Sequence, residues 1–187
     1  IASSGENKGN IILENGAIGI KIDNTVEGRE QGIYSVGTNS GIIEGNGKGV
    51  VINGGIFVNS GEIDTTDIAI QSSEVKVGND YVGTNNTVYL KNGSKVNGDI
   101  VGNTGIDVLA LEGKAGEYSN LDVSSYEAIS VRNGNATISD STIGLEYNSG
   151  TKEYLNTSKS ELDKLESSTT MKADNSGKLT MKNSDLI

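Results

Sequence analysis

Short bursts of alternating apolar residues recur along the chain. They comprise Ile18, Ile20 and Ile22; Val50 and Ile52; Ile56 and Val58; Ile68 and Ile70; Val75 and Val77; Val88 and Leu90. The series continues with Val108 and Ala110, Leu121 and Val123, Ile129 and Val131, Ile143 and Leu145, and Leu179 and Met181. Period-two alternation puts each set on one face of a strand of about three to five residues. Asn-Gly corners separate the bursts at Asn15-Gly16, Asn53-Gly54, Asn92-Gly93, Asn97-Gly98 and Asn133-Gly134, a pair that supplies positive φ at little steric cost.

A longer unit also repeats. Asn39-Ser40-Gly41, Asn59-Ser60-Gly61, Asn148-Ser149-Gly150 and Asn175-Ser176-Gly177 share one tripeptide, and in the first two an Ile (Ile43, Ile63) follows the Gly by two residues. Bursts spaced by roughly 15 to 21 residues fall in the range that marks solenoids. Asn-Gly between strands also suits antiparallel hairpins in a β-sandwich or barrel. The solenoid is preferred because the tripeptide recurs as a unit and strands this short make a poor two-layer sheet. The expectation is an all-β chain: a right-handed parallel β-helix of three-sided turns spanning residues 1–187. Handedness follows the usual preference of parallel crossovers. At about 4.8 Å per turn, roughly nine turns make a shaft on the order of 45 Å. Asn residues in register are expected to form side-chain ladders.

One stretch breaks the alternation. Leu155, Leu162 and Leu165 have helix-like spacing, and Ser158 with Glu161 reads as a capping box. This predicts a small helical or loop insertion near 155–168, with the repeat resuming at Met171. A second irregularity, at Glu27 to Gln31, predicts a loop.

Composition sharpens the picture. The 187 residues include 26 Gly, one Phe and no Trp, so a core must come from stacked Ile, Val and Leu. Abundant Gly, Ser and Asn with a net charge of −10 also suit a disordered chain, but the alternation is too regular for that. The absence of Pro fits a chain whose N–H groups donate to the next turn. With no His and no Cys, nearly all zinc, copper and haem sites and the Ser-His and Cys-His nucleophile pairs are excluded. No cofactor or metal is expected. An acidic chain with only Arg29 and Arg132 as arginines argues against nucleic-acid partners. No apolar run approaches transmembrane length and no signal peptide is evident, so this segment is not expected to embed in a membrane. The pattern is cut mid-repeat at Ile1 and Ile187, which suggests a processed or excised segment.

Gly32-Ile33-Tyr34-Ser35-Val36, leading to Asn39-Ser40-Gly41-Ile42-Ile43, and Gly55-Ile56-Phe57-Val58-Asn59-Ser60-Gly61-Glu62-Ile63 resemble the passenger repeats of large type V autotransporters. The style is nearest to the fusobacterial autotransporter adhesins, and covers most of residues 10–150 and 169–187. The resemblance rests on repeat style and not on a diagnostic motif. It implies a virulence-associated passenger at the bacterial cell surface, or secreted from it, tethered through an outer-membrane β-barrel outside this chain. It also implies non-enzymatic adhesion to a host cell-surface protein or glycan, or to a partner bacterial surface. Some passengers of this kind are toxins or carry proteases.

Candidate chemistry is sparse. Asp64 with Asp67, and Asp140 with Glu146, are the carboxylate pairs that a carbohydrate-active β-helix enzyme would need; acidic residues at turn edges also simply solvate a shaft. The pectinase-type enzymes of this fold bring a His and an Asn-Thr-Asp stretch, and this chain has neither. Gly45-Asn46-Gly47-Lys48-Gly49-Val50-Val51-Ile52 faintly suggests a calcium-binding nonapeptide, but Lys48 would repel the ion. Tyrosines are favoured at protein interfaces and stack on sugars. Tyr34, Tyr89 and Tyr147 stand beside inward positions and are expected to face outward. Tyr81, Tyr118, Tyr126 and Tyr154 fall near turns or loops. Together these seven are the candidate binding residues. A purely mechanical spacer, holding an adhesive tip outside this segment, is the competing reading.

Overall fold

The computed structural model describes residues 4–24, 34–113, 116–133, 135–145, 169–173 and 179–182. Among these residues there is no helix, and the strands stack level upon level. The first level holds β1 (Ser4–Asn7) and β2 (Asn10–Asp23); the second β3 (Ser35–Asn39) and β4 (Ile42–Asn53); the third β5 (Gly55–Asn59) and β6 (Glu62–Ser72). A hairpin of β7 (Val75–Val77) and β8 (Asp80–Val82) follows. The fourth level holds β9 (Asn86–Leu90) and β10 (Lys95–Val101). The fifth adds a third strand, with β11 (Asp107–Glu112), β12 (Gly116–Ser119) and β13 (Asp122–Tyr126). The sixth repeats this with β14 (Ala128–Arg132), β15 (Asn135–Ser139) and β16 (Ser141–Leu145). Last come β17 (Thr169–Ala173) and β18 (Leu179–Lys182).

Strands β1, β3, β5, β9, β11 and β14 form one sheet in that order, every pair parallel. Strands β2, β4, β6, β10, β13 and β16 form a second, also parallel. These long parallel sheets are consistent with a solenoid-like course. Stacked residues are 20 apart from Asn39 to Asn59, 21 from Asn86 to Asp107 and 20 from Asp107 to Glu127. Two steps are longer: 32 from Asn7 to Asn39 and 31 from Gly55 to Asn86.

Corner chemistry follows the sequence. Gly16, Gly54, Gly93 and Gly98 all have positive φ, and at Asn133-Gly134 the asparagine itself takes φ 65°. The core is a set of columns, one residue per level. On the first sheet Gly37, Phe57, Val88, Leu109 and Ile129 stack; on the second Ile20, Val50, Ile70, Ile100, Val123 and Ile143 do. From Phe57 and Val50 onward each of these residues is buried. Full burial of one such aliphatic side chain stabilises by about 1.5–3 kcal/mol, so the columns hold the levels together and no level stands alone.

Several sequence expectations need correction. Ile56, Val58 and Val108 sit out of phase with the core, where Phe57, Leu109 and Leu111 point inward instead; Ala110 is itself fully buried. Both faces of these strands are apolar, so alternation alone does not choose between them. Val75 and Val77 belong to no level; they pair antiparallel with β8 in a separate two-stranded sheet. The described residues make six levels, and the repeat does not resume at Met171. Instead β17 pairs antiparallel with β16, and β18 antiparallel with β15. The insertion expected at 155–168, the loop at 27–31, and two Asn-Ser-Gly units (148–150 and 175–177) lie outside the described residues.

Candidate interaction surfaces

The repeated tripeptide builds a ladder. Asn7 Nδ2 donates to Asn39 Oδ1 at 2.8 Å, and Asn39 Nδ2 donates to Asn59 Oδ1 at 2.8 Å. Asn39 and Asn59 are completely buried. The Ser60 N–H donates to the Asn39 carbonyl, and Gly61 lies so close to the Gly41 carbonyl that a Cβ would strike it. Asn7-Lys8-Gly9 is the same unit with Lys for Ser; searching for Asn-x-Gly would have found it. Beyond Asn59 the column continues as Leu90, Leu111 and Val131.

At the other end of these strands a second polar column was not foreseen. Ser35, Gly55, Asn86, Asp107 and Glu127 stack there. Asn86 Nδ2 donates to Asp107 Oδ1 at 2.9 Å, the Asn103 N–H donates to Asp107 Oδ2 at 2.7 Å, and the Asp107 N–H donates to Glu127 Oε2 at 2.6 Å. Burial pushes the Asp107 carboxyl above its ordinary value, only partly offset by hydrogen bonds from Asn103, Asn86 and Ser72. A raised carboxyl also marks a general acid. Asp107 is sealed from solvent, however, and its two oxygens are bonded to neighbours, which fits a structural role.

The tyrosines divide. Tyr81 is 67% exposed, on the hairpin arm opposite Lys76, and Val77 and Val82 are exposed beside it. The arm is anchored at its base: Thr84 Oγ1 and Asn103 Nδ2 both donate to the Ser73 carbonyl, and Thr104 Oγ1 donates to Glu74 Oε1. Tyr34, immediately before β3, is 41% exposed. Tyr89 faces outward but half-buried, with Lys91 Nζ 5.0 Å and Arg132 Cζ 5.3 Å from its ring centre. Two expected contact residues are core residues instead. Tyr118 is 3% exposed and Tyr126 0%. Proximity to turns misplaced them, because inward phase and not turn distance decides burial. Tyr118 spends its hydroxyl on the carbonyls of Leu90 (3.0 Å) and Glu112 (2.7 Å). Burial pushes both phenols up, so they stay neutral. Tyr147 and Tyr154 lie outside the described residues.

Among the acidic candidates, Asp64 accepts from Asn97 Nδ2 at 2.7 Å, Asp67 and Asp140 are exposed, and Glu146 lies outside the described residues. Among the described residues no group of three or more His, Cys, Asp or Glu is placed to hold a metal ion. The glycines of 45–49 serve packing: a Cβ at Gly45, Gly47 or Gly49 would strike a carbonyl of the neighbouring level. No helix of the described residues is long and apolar enough to cross a membrane.

An open groove of about 660 Å³ lies between Lys95–Asn97 of β10 and Glu117–Ser119 of β12. Comparison with family models, with curated proteins and with solved structures finds no match for this chain.

Proposed function

We propose that this chain is a segment of right-handed parallel β-helix from the passenger of an autotransporter adhesin, displayed at or shed from a Gram-negative surface. It acts without catalysis, by holding contact elements on a stiff shaft that binds host cells or other bacteria. The observation that carries this reading is the hairpin 75–82. There the chain leaves the stack, and the step from Gly55 to Asn86 lengthens to 31 residues to accommodate it. The excursion presents the most exposed tyrosine of the described residues, with two exposed valines, on a base fastened to the shaft. Amphipathic aromatic and apolar groups on a rigid support bind at low entropic cost. Solenoids supply extended surfaces for such use.

The spacer reading is favoured by a different observation. At the first level Ile11 and Ile20 remain half-buried, while the residues stacked on them, Ile43 and Val50, are fully buried. Among the described residues, that end presents interior columns and the outer edges of β1 and β2, on which a further coil would stack.

The test is binding of the labelled, folded chain to epithelial cells, immune cells and partner bacteria, against a heat-unfolded control. Saturable binding that falls at least fivefold in Tyr81→Ala is the expected result. No binding by folded protein to any surface would leave the spacer reading.

A further inference from the structure

The groove between β10 and β12 is a gap in a sheet. On that face of levels two to four, residues 42–45 of β4, 62–64 of β6 and 95–97 of β10 pair in parallel register. At level five the sheet stops. β12 pairs only with β15, and β10 meets β13 only at residues 99–101. Two edges therefore face each other across the groove without a strand partner among the described residues: 95–97 on one side and 116–119 on the other. Leu111, stacked on Leu90, is followed seven residues later by the buried Tyr118, whose hydroxyl donates to the Leu90 carbonyl at 3.0 Å.

On either side of the gap the levels stay joined, by β9 with β11 and by residues 99–101 of β10 with β13. Paired strands thus bound the slot at both of its ends. An extended residue advances about 3.3 Å, with about 4.8 Å between strands and about 10 Å between layers, so it occupies roughly 160 Å³. The groove's 660 Å³ admits about four such residues. Its floor is apolar, formed by the buried Val96 and Tyr118. Its outer rim is acidic, with Glu62, Asp64 and Glu117; the one cation, Lys95, is paired with Glu62 at 3.8 Å.

We propose that this slot takes up an extended peptide as the missing strand. Main-chain hydrogen bonds to both edges supply affinity, and alternate side chains supply specificity. Small apolar residues point in over Val96 and Tyr118; basic residues between them point out toward Asp64 and Glu117. This site is separate from the Tyr81 hairpin and stands whether or not the segment adheres to cells.

The experiment uses the full chain and a fluorescein-labelled peptide of alternating Lys and Val, six residues long, followed by anisotropy. The same peptide with N-methylated backbone amides keeps the charge but loses the donors. Saturable binding is expected, weakened at least tenfold by N-methylation and at least tenfold by Glu117→Lys, whose folding is checked by far-UV circular dichroism. Hydrogen exchange should slow on peptide addition in residues 95–97 and 116–119. Equal binding of the N-methylated peptide would reduce the interaction to charge and overturn the proposal. So would absence of binding, or protection confined to other strands.

Discussion

Replacing Asn39 by Ala should be costly in a way that depends on where the residue sits in its ladder. The amide of Asn39 accepts from Asn7 and donates to Asn59, and the side chain is fully buried. Truncation leaves Asn59 Oδ1 buried without its donor, a penalty of about 1–3 kcal/mol, and forfeits a hydrogen bond worth about 1 kcal/mol net. Asn7 Nδ2 retains the carbonyls of Gly9 and Ile42, so it adds little. The expected loss is about 2–4 kcal/mol. Asn7 is only half-buried at the first described level, so water can replace its amide on Asn39 Oδ1, and Asn7→Ala should cost under about 1 kcal/mol. Changing Asn39 and Asn59 together to Leu should cost less than Asn39→Ala alone, because removing both partners leaves fewer orphaned groups. The same column already carries Leu90 and Leu111. Urea denaturation followed by circular dichroism reads the differences as shifts in midpoint at constant slope. Equal costs at positions 7 and 39, or a double-Leu variant worse than Asn39→Ala, would refute the ladder argument.

Three further outcomes follow. Ile70→Ala, in the closed middle of its column, should lose about 2–5 kcal/mol, whereas Ile20→Ala at the open end should lose about 1; paired urea curves compare them. Gly61→Ala should destabilise by more than about 2 kcal/mol, since its Cβ would strike the Gly41 backbone; thermal melts against Ser60→Ala check it. Because burial raises the Asp107 carboxyl in the folded state, its stabilising contribution is complete below the unfolded value near 3.8 and is lost as pH rises through the folded value. Asp107→Asn should remove that part of the decline, so wild type minus variant stability should fall as pH rises above about 4, read from denaturation at a series of pH values.

Much of the fold was legible because it depends on local chemistry. Alternation marked the strands, Asn-Gly marked the corners, and Asn39 and Asn59 marked the ladder. What the chain alone left open depends on register between levels. Phe57 points inward because it completes the column of Val88 and Leu109, a fact absent from its own strand, where Ile56 and Val58 are equally apolar. Val75 and Val77 alternate like any core strand, yet Gly78-Asn79 turns them into a hairpin, with Gly78 at φ 65°. Tyr118 and Tyr126 are inward by phase, which turn proximity concealed. The slot beside β12 depends on which strands pair between levels, which no strand's own pattern contains.

Successive levels stack in parallel, 20 or 21 residues apart except at the two longer steps, and disulfide cross-linking tests this stacking most directly. The chain has no cysteine, so introduced pairs are unambiguous. Glu44 and Asp64 are exposed and directly in register on β4 and β6, within the reach a disulfide requires. Glu44→Cys with Asp64→Cys should oxidise quantitatively to an intramolecular bridge under mild oxidant, while Glu44→Cys with Glu117→Cys should not. A bridge in the second pair and none in the first would contradict the stack and, with it, every reading built on the shaft.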